Sequence, residues 1–166
     1  IGACCIAVPC ITSHHFFGEL QPAVSIPFLH LVRETVRHLR EQGVRKAGIL
    51  ATTGTVRTRL FQDELERQGL GWAVPSEAGQ EKVMHLIYQN VKAGKPPELP
   101  LFAEVSGELR KQGAECAILG CTELSLVKRD FSLGPGYLDA LEVLAKASIE
   151  FCGKPLKPEY RNLITR

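Results

Sequence analysis

The chain has no apolar run approaching the roughly 20 residues that a membrane span requires, so its hydrophobic segments must serve a core. It has no dominant charge either. The 20 basic and 18 acidic residues leave a net charge of +2, and the basic ones are scattered rather than interleaved with aromatics. That balance gives no ground for a nucleic-acid partner. The pattern G-x-x-x-x-G-K-[ST] is missing, which removes the standard phosphate loop. Around the apolar opening, Ile1 to Val8, there is neither a basic flank nor a cleavage site, and the run leads straight into Pro9-Cys10. It therefore reads as a strand interior and not as a secretory segment. No initiator Met precedes it, so a chain truncated at its N-terminus is expected, with a cytoplasmic location. What remains is an ordinary globular composition, 45% hydrophobic and 23% charged over 166 residues. That is enough for a real core in one domain or two small ones.

Two stretches stand out against this background because they are near-copies. Gly2-Ala3-Cys4-Cys5-Ile6-Ala7-Val8-Pro9-Cys10 aligns without gaps on Gly113-Ala114-Glu115-Cys116-Ala117-Ile118-Leu119-Gly120-Cys121. Gly, Ala and two Cys coincide, and each apolar run stops at a Cys before a short polar step. One structural unit used twice would place a thiol at the same point of each copy. Two matched thiols suggest one active site with a cysteine on either side.

The chain holds six cysteines, but it is too large and too rich in core residues to need disulfide stapling. Cys4, Cys5 and Cys116 lie inside apolar runs, where buried free cysteine is common. Cys152 follows a helix with no motif around it. A zinc site built from Cys4, Cys5, Cys10, His14 and His15 matches no standard spacing. Adjacent Cys4 and Cys5 should also point to opposite faces of a strand, so no metal site is expected. Cys10 and Cys121 differ from the other four because each stands where a strand meets a loop.

Periodicity supplies the rest of the frame. A helix is predicted from about Phe28 to Gln42, with Leu31, Val32, Thr35, Val36 and Leu39 on one stripe and Gly43 to stop it. A buried strand follows at Val44 to Ala51, then a turn at Thr52-Thr53-Gly54-Thr55. A second helix carries Val56, Leu60, Phe61 and Leu65 on its apolar face. A short strand at Gly71 to Val74 leads to a helix from about Glu77 to Lys92. Beyond a Pro-rich loop at Gly94 to Pro100, another helix runs to about Gln112. The strand Glu115 to Gly120 enters the Cys121 turn. A last helix, about Tyr137 to Phe151, precedes a polar, solvated tail containing Lys154, Lys157, Arg161 and Arg166. His30, His38 and His85 read as ordinary helix residues, and Trp72 as core or interface.

Short apolar strands alternating with helices indicate an α/β fold with a mostly parallel sheet. Ligands of such sheets bind at the carboxyl ends of the strands. The turns at Cys10, Thr52 and Cys121 should therefore converge. A helix N-terminus offers free N–H groups and partial positive charge. The same field lowers the pKa of a nearby thiol and suits it to act as a base. The threonines add hydroxyl donors, and Gly54 permits close backbone approach. A small carboxylate suits such a site.

The segments Val8-Pro9-Cys10-Ile11-Thr12-Ser13-His14, Gly48-Ile49-Leu50-Ala51-Thr52-Thr53-Gly54-Thr55 and Ile118-Leu119-Gly120-Cys121-Thr122-Glu123-Leu124 resemble the three signature segments of the aspartate/glutamate racemase superfamily. The resemblance covers nearly the whole chain, including Tyr137-Leu138-Asp139-Ala140-Leu141. It is closest to the aspartate racemase branch, because Glu123 stands where glutamate racemases usually carry His. The resemblance implies two pseudo-symmetric Rossmann-like lobes with the active site between them, the first lobe incomplete. It divides the chain into residues 1–42 of the first lobe, residues 43–124 as the second, and residues 125–166 returning to the first. It also implies a homodimer that uses no pyridoxal phosphate or other cofactor and acts on a small amino acid, interconverting L- and D-aspartate.

In that family pattern Cys10 and Cys121 are the two acid/base residues. One thiolate takes the α-proton and the opposite thiol returns one. Thr12, Thr52, Thr53, Gly54, Thr55 and Thr122 would surround the substrate's carboxylate and amino groups. Glu123 would position the ammonium or tune Cys121. His14 lies within the first segment and is open to a supporting role, to capping or to plain exposure. The sequence departs from the pattern at Ile11, where the family usually has Asn after the first Cys. That change keeps open glutamate, a hydantoin or another α-acidic carboxylate as substrate. A non-catalytic carboxylate-binding homologue is the reading from a different class.

Overall fold

The computed structural model describes residues 2–166. Ile1, the first residue of the expected opening strand, lies outside them. The architecture is α/β, and every strand pairing is parallel. A four-stranded sheet has the order β4-β3-β5-β6, comprising β3 (Lys46–Ala51), β4 (Gly71–Ala73), β5 (Cys116–Gly120) and β6 (Tyr137–Asp139). A second sheet pairs β1 (Ile6–Ala7) with β2 (Phe28–Leu29).

The central strands are buried along nearly their whole length, and alternate residues feed different cores. Ile49, Ala51 and Ile118 pack with Val32, Val36 and Leu39 of α2 (Leu31–Glu41) and with Val143 and Leu144 of α8 (Ala140–Phe151). Leu50 and Leu119 join the opposite core. There they meet Val83 of α5 (Glu77–His85), Phe102 and Leu109 of α6 (Leu99–Lys111) and Leu124 of α7 (Thr122–Asp130). Helices on both faces explain why the strands read as continuous apolar runs and not as alternating ones. Each Leu or Ile so buried contributes roughly 1.5–3 kcal/mol. None of the helices among the described residues is long and apolar enough to cross a membrane.

Several expected elements differ from those observed. The opening strand is only two residues long, and a one-turn helix, α1 (Phe17–Leu20), lies between it and β2. The helix expected from Phe28 begins at Leu31, because Phe28 and Leu29 are taken into β2, in register with Ile6 and Ala7. His30, expected within that helix, is its N-cap and accepts from Arg33 N–H at 3.4 Å. The helix after Thr52 is two helices, α3 (Thr53–Arg57) and α4 (Leu60–Arg67). Arg59 separates them with a left-handed φ of 56°, and its guanidinium is held by Asp63 and Glu66, each at 2.8 Å. The stretch expected as one helix to Lys92 passes from α5 into a π-helical turn at Leu86–Asn90, then a 3-10 turn at Val91–Ala93.

The last helix begins at Ala140. Tyr137–Asp139 instead forms β6 beside β5, and Asp139 then caps α8 by accepting from Leu141 N–H at 2.9 Å. The tail is not uniformly solvated. Leu163 is buried, and Thr165 exchanges backbone hydrogen bonds of 2.9 Å with Gly136 and Tyr137. Residues 125–166 thus contribute a strand to the larger sheet and a helix, α8, that packs on α2. Cys116 is buried, but Cys4 and Cys152 are exposed and Cys5 is half-buried. Cys4 and Cys5 precede β1 in irregular chain, so no strand alternation separates them.

Candidate active site

The parallel register of β3 and β5 sets Ala51 beside Gly120. The next residues, Thr52 and Cys121, therefore emerge together from the carboxyl edge of the sheet. Gly120 permits this close approach. A Cβ built there would lie 3.0 Å from Ala51 Cβ and 3.1 Å from both Leu50 O and Phe61 Cε2. Cys121 is the extended N-cap residue of α7, and its side chain is free of capping duty.

Thr52 caps α3, its Oγ1 accepting from Thr55 N–H at 3.3 Å. Buried Thr55 holds the neighbouring turns together: its hydroxyl lies 3.1 Å from Thr52 Oγ1 and 2.9 Å from Thr12 Oγ1. Thr12 opens a 3-10 turn, Thr12–Phe16, with Ile11 as the N-cap between it and Cys10. The Cys10 carbonyl accepts from Ser13 Oγ at 2.6 Å and from His14 Nδ1 at 2.9 Å. That second contact puts the proton of a neutral His14 on Nδ1. Burial lowers the pKa of His14, with the backbone carbonyls opposing.

These turns meet around one cavity of about 390 Å³. Cys10, Thr12, Thr52, Cys121, Thr122 and Glu123 line it, together with Pro9, Ile11, Ile87, Tyr88, Lys92 and Gly120. The volume is in the range of small-ligand sites. Thr53, Gly54 and Thr55 are not part of the lining. The Thr53 amide donates to Met84 Sδ at 3.3 Å, and its hydroxyl accepts from Gln80 at 3.4 Å. Gly54 is exposed behind Thr12 and Thr52, while Thr55 is the buried tie beneath them. These three residues hold the turn that carries Thr52.

Cys121 departs from the expectation for a thiol at a helix N-terminus. Burial, then the hydrogen bond and negative charge of Glu123, push its thiol up to about 12. The Cys121 S–H donates to Glu123 Oε2 at 2.9 Å, and Thr122 Oγ1 donates to the same oxygen at 3.0 Å. Burial raises the Glu123 carboxyl, but these donors and the Lys92 ammonium outweigh it and hold Glu123 below the usual carboxylate range. At neutral pH the shared proton therefore sits on sulfur. The helix field is outweighed by a full negative charge at hydrogen-bond distance.

Sequence reasoning missed Ile87, Tyr88 and Lys92. The π-helical turn brings Ile87 and Tyr88 to the cavity, and the Lys92 ammonium lies 4.8 Å from the Tyr88 ring centroid. Helical spacing between Tyr88 and Lys92 was visible, but nothing in it indicated which side faces a ligand. Ile11 is 6% exposed and belongs to the core while touching the cavity. It gives that wall an apolar surface.

Comparison with known proteins supplies a family. The chain is 30% identical over 138 residues to an uncharacterized protein of the pnlA 3′ region of Pectobacterium carotovorum subsp. carotovorum, covering 82% of this chain and 92% of that one. To the broad specificity amino-acid racemase RacX of Bacillus subtilis (strain 168) it is 28% identical over 144 residues, covering 87% of this chain and 63% of RacX. Among solved structures it superposes on the Picrophilus torridus aspartate racemase with a TM-score of 0.77 and 25% identity. That match covers 98% of this chain and 68% of the other. The chain thus spans about two thirds of the length of these two named racemases. The family model described as Asp/Glu/Hydantoin racemase matches residues 1–147, and the chain belongs to that racemase family, a family of isomerases.

Proposed function

We propose that the protein is an amino-acid racemase that interconverts L- and D-aspartate by two-base proton transfer between Cys10 and Cys121, without pyridoxal phosphate. The observation that carries this reading is the placement of both cysteines on one small cavity, each following a different strand, with Thr12, Thr52 and Thr122 on the same lining. In the proposed cycle a Cys10 thiolate takes the α-proton from one face of the substrate. The Cys121 thiol delivers its proton to the other face, and the roles reverse for the opposite enantiomer. The intermediate carbanion places its charge on the α-carboxylate. The hydroxyls of Thr12, Thr52 and Thr122 are the donors available to stabilise it.

The cavity also carries one cation, Lys92, and one anion, Glu123. The pair suits a substrate bearing both ammonium and carboxylate groups. Aspartate is favoured by the likeness to the Picrophilus torridus aspartate racemase and by Glu123 in place of His. Broad specificity is a second reading, supported by the likeness to RacX and by the apolar wall of Ile11, Ile87 and Tyr88. The reading includes two lobes closing on the site and a homodimer acting in the cytoplasm.

Chiral chromatography of single enantiomers incubated with the purified protein tests the activity and separates these substrates. Aspartate should racemise fastest, and Cys10→Ala or Cys121→Ala should each lower the rate by about 10²–10⁴-fold or more. Full activity in either variant would refute the two-base assignment. Equal turnover of neutral and acidic amino acids would favour broad specificity.

A further inference from the structure

Three cysteines outside the active site come together at the two ends of the fold. The sulfurs of Cys4, Cys5 and Cys152 all lie within 4.8 Å of one another. Cys4 and Cys5 sit in the segment before β1, while Cys152 follows the last turn of α8 and donates its N–H to Ser148 O at 3.1 Å. None of the three lines the racemase cavity. Cys4 and Cys152 are exposed, an unusual setting for a residue type that is normally among the most buried.

We propose that Cys4, Cys5 and Cys152 form a binding site for a single thiophilic cation of the Zn²⁺ or Cu⁺ class, which clips the N-terminal segment to the end of α8. The spacing fits an ion better than a disulfide. Cys4 Sγ and Cys152 Sγ are 3.7 Å apart, nearly twice the S–S bond length of about 2.05 Å. A tetrahedral zinc with Zn–S bonds of about 2.3 Å places its sulfurs roughly 3.8 Å apart. Three thiolates complete a trigonal Cu⁺ site. Around Zn²⁺ they leave a fourth position for water. Soft thiolates select these cations over harder ones.

Binding of the cation releases up to three protons, one for each new metal–sulfur bond. Zn²⁺ with three thiolates carries a net negative charge, which the Lys154 ammonium beside Cys152 favours.

The test uses purified, reduced protein equilibrated anaerobically with zinc chloride or with Cu⁺, in competition with a chromophoric chelator. One ion per chain is expected. Affinity should fall more than about tenfold in Cys152→Ser and vanish at this site in the Cys4→Ser/Cys5→Ser/Cys152→Ser triple variant. The Cys10→Ser/Cys121→Ser double variant should retain the ion, which separates this site from the proposed catalytic thiols. Co²⁺ substitution should give thiolate charge-transfer absorption in wild type and none in the triple variant, whose circular dichroism checks that it has folded. Equal binding by the triple variant, loss of binding in the Cys10/Cys121 variant, or no binding of either ion by wild type would each overturn the proposal.

Discussion

Cys121 is protonated at neutral pH because two effects act in the same direction. Its sulfur is buried, and its S–H points at the carboxylate of Glu123, two residues along. In the proposed cycle the cavity is thus set with Cys121 as the acid, and Glu123 fixes the direction of its proton. Replacing Glu123 by Gln removes the charge but leaves the burial. The Cys121 pKa should fall, and its alkylation by iodoacetamide at neutral pH should accelerate by about threefold for each unit of fall, the larger thiolate fraction outweighing the lower nucleophilicity of a less basic sulfur. Peptide mass mapping of the alkylated Cys10→Ser background, with and without Glu123→Gln, reads the Cys121 thiol apart from the exposed Cys4 and Cys152 and the half-buried Cys5. An unchanged or slower rate would show that Glu123 does not hold the proton there. The duplicated Gly-Ala-…-Cys pattern made both thiols visible in the sequence, whereas the pKa direction was not visible. Whether Glu123 turns back toward Cys121 or outward depends on a rotamer that spacing alone does not specify.

Among the elements, the long buried strands were legible and the short ones were not. β3 and β5 announce themselves as apolar runs ending in Thr52 and Cys121, and their pairing aligns those ends. β6 has only three residues and runs directly into α8 without a turn, so its apolar residues merge with the helical pattern. Asp139 was the signal that could have divided them, as a capping residue at the helix start. β2 was hidden in the same way: Phe28 and Leu29 continue the helical stripe in sequence, but β1 satisfies their backbone. The π-helical turn at Leu86–Asn90 has no sequence mark, and it supplies two lining residues of the cavity, Ile87 and Tyr88. The sequence therefore revealed the thiol and threonine side of the site. It was silent about the side that Ile87, Tyr88 and Lys92 build.

Across the whole molecule, the C-terminal tail is tied back to α2. His38 on α2 is 2% exposed, and its Nε2 accepts from Leu163 N–H at 3.2 Å, joining the tail to the helix. Burial, then the Lys146 ammonium, lower His38 to about 4, and burial followed by Arg33 lowers His30 to about 4. Both rings are therefore neutral in the folded protein over a range where they are protonated in the unfolded chain. With folded pKa values below the unfolded value of about 6.5, the unfolded state binds more protons in that window. Their stabilisation is full above about pH 6.5 and is lost as pH falls toward 4, on the order of 1–3 kcal/mol for each ring. Thermal unfolding followed through that range should show Tm falling with pH, less steeply in His38→Gln. A variant with the same slope as wild type would remove His38 from the account. Contacts such as Leu163 on His38, or Cys4 beside Cys152, join residues more than 100 positions apart. Local patterning carries no signal for them.

The central claim is that two thiols on opposite sides of one cavity exchange protons with an α-carbon. The most direct measurement is the reaction of one aspartate enantiomer in deuterated water, stopped early and resolved by chiral chromatography with mass spectrometry. Opposed single-proton bases predict deuterium at the α-carbon of the product enantiomer, with protium retained in the remaining substrate. Deuterium entering both enantiomers equally from the start, or a product that keeps its protium, would contradict the two-thiol account.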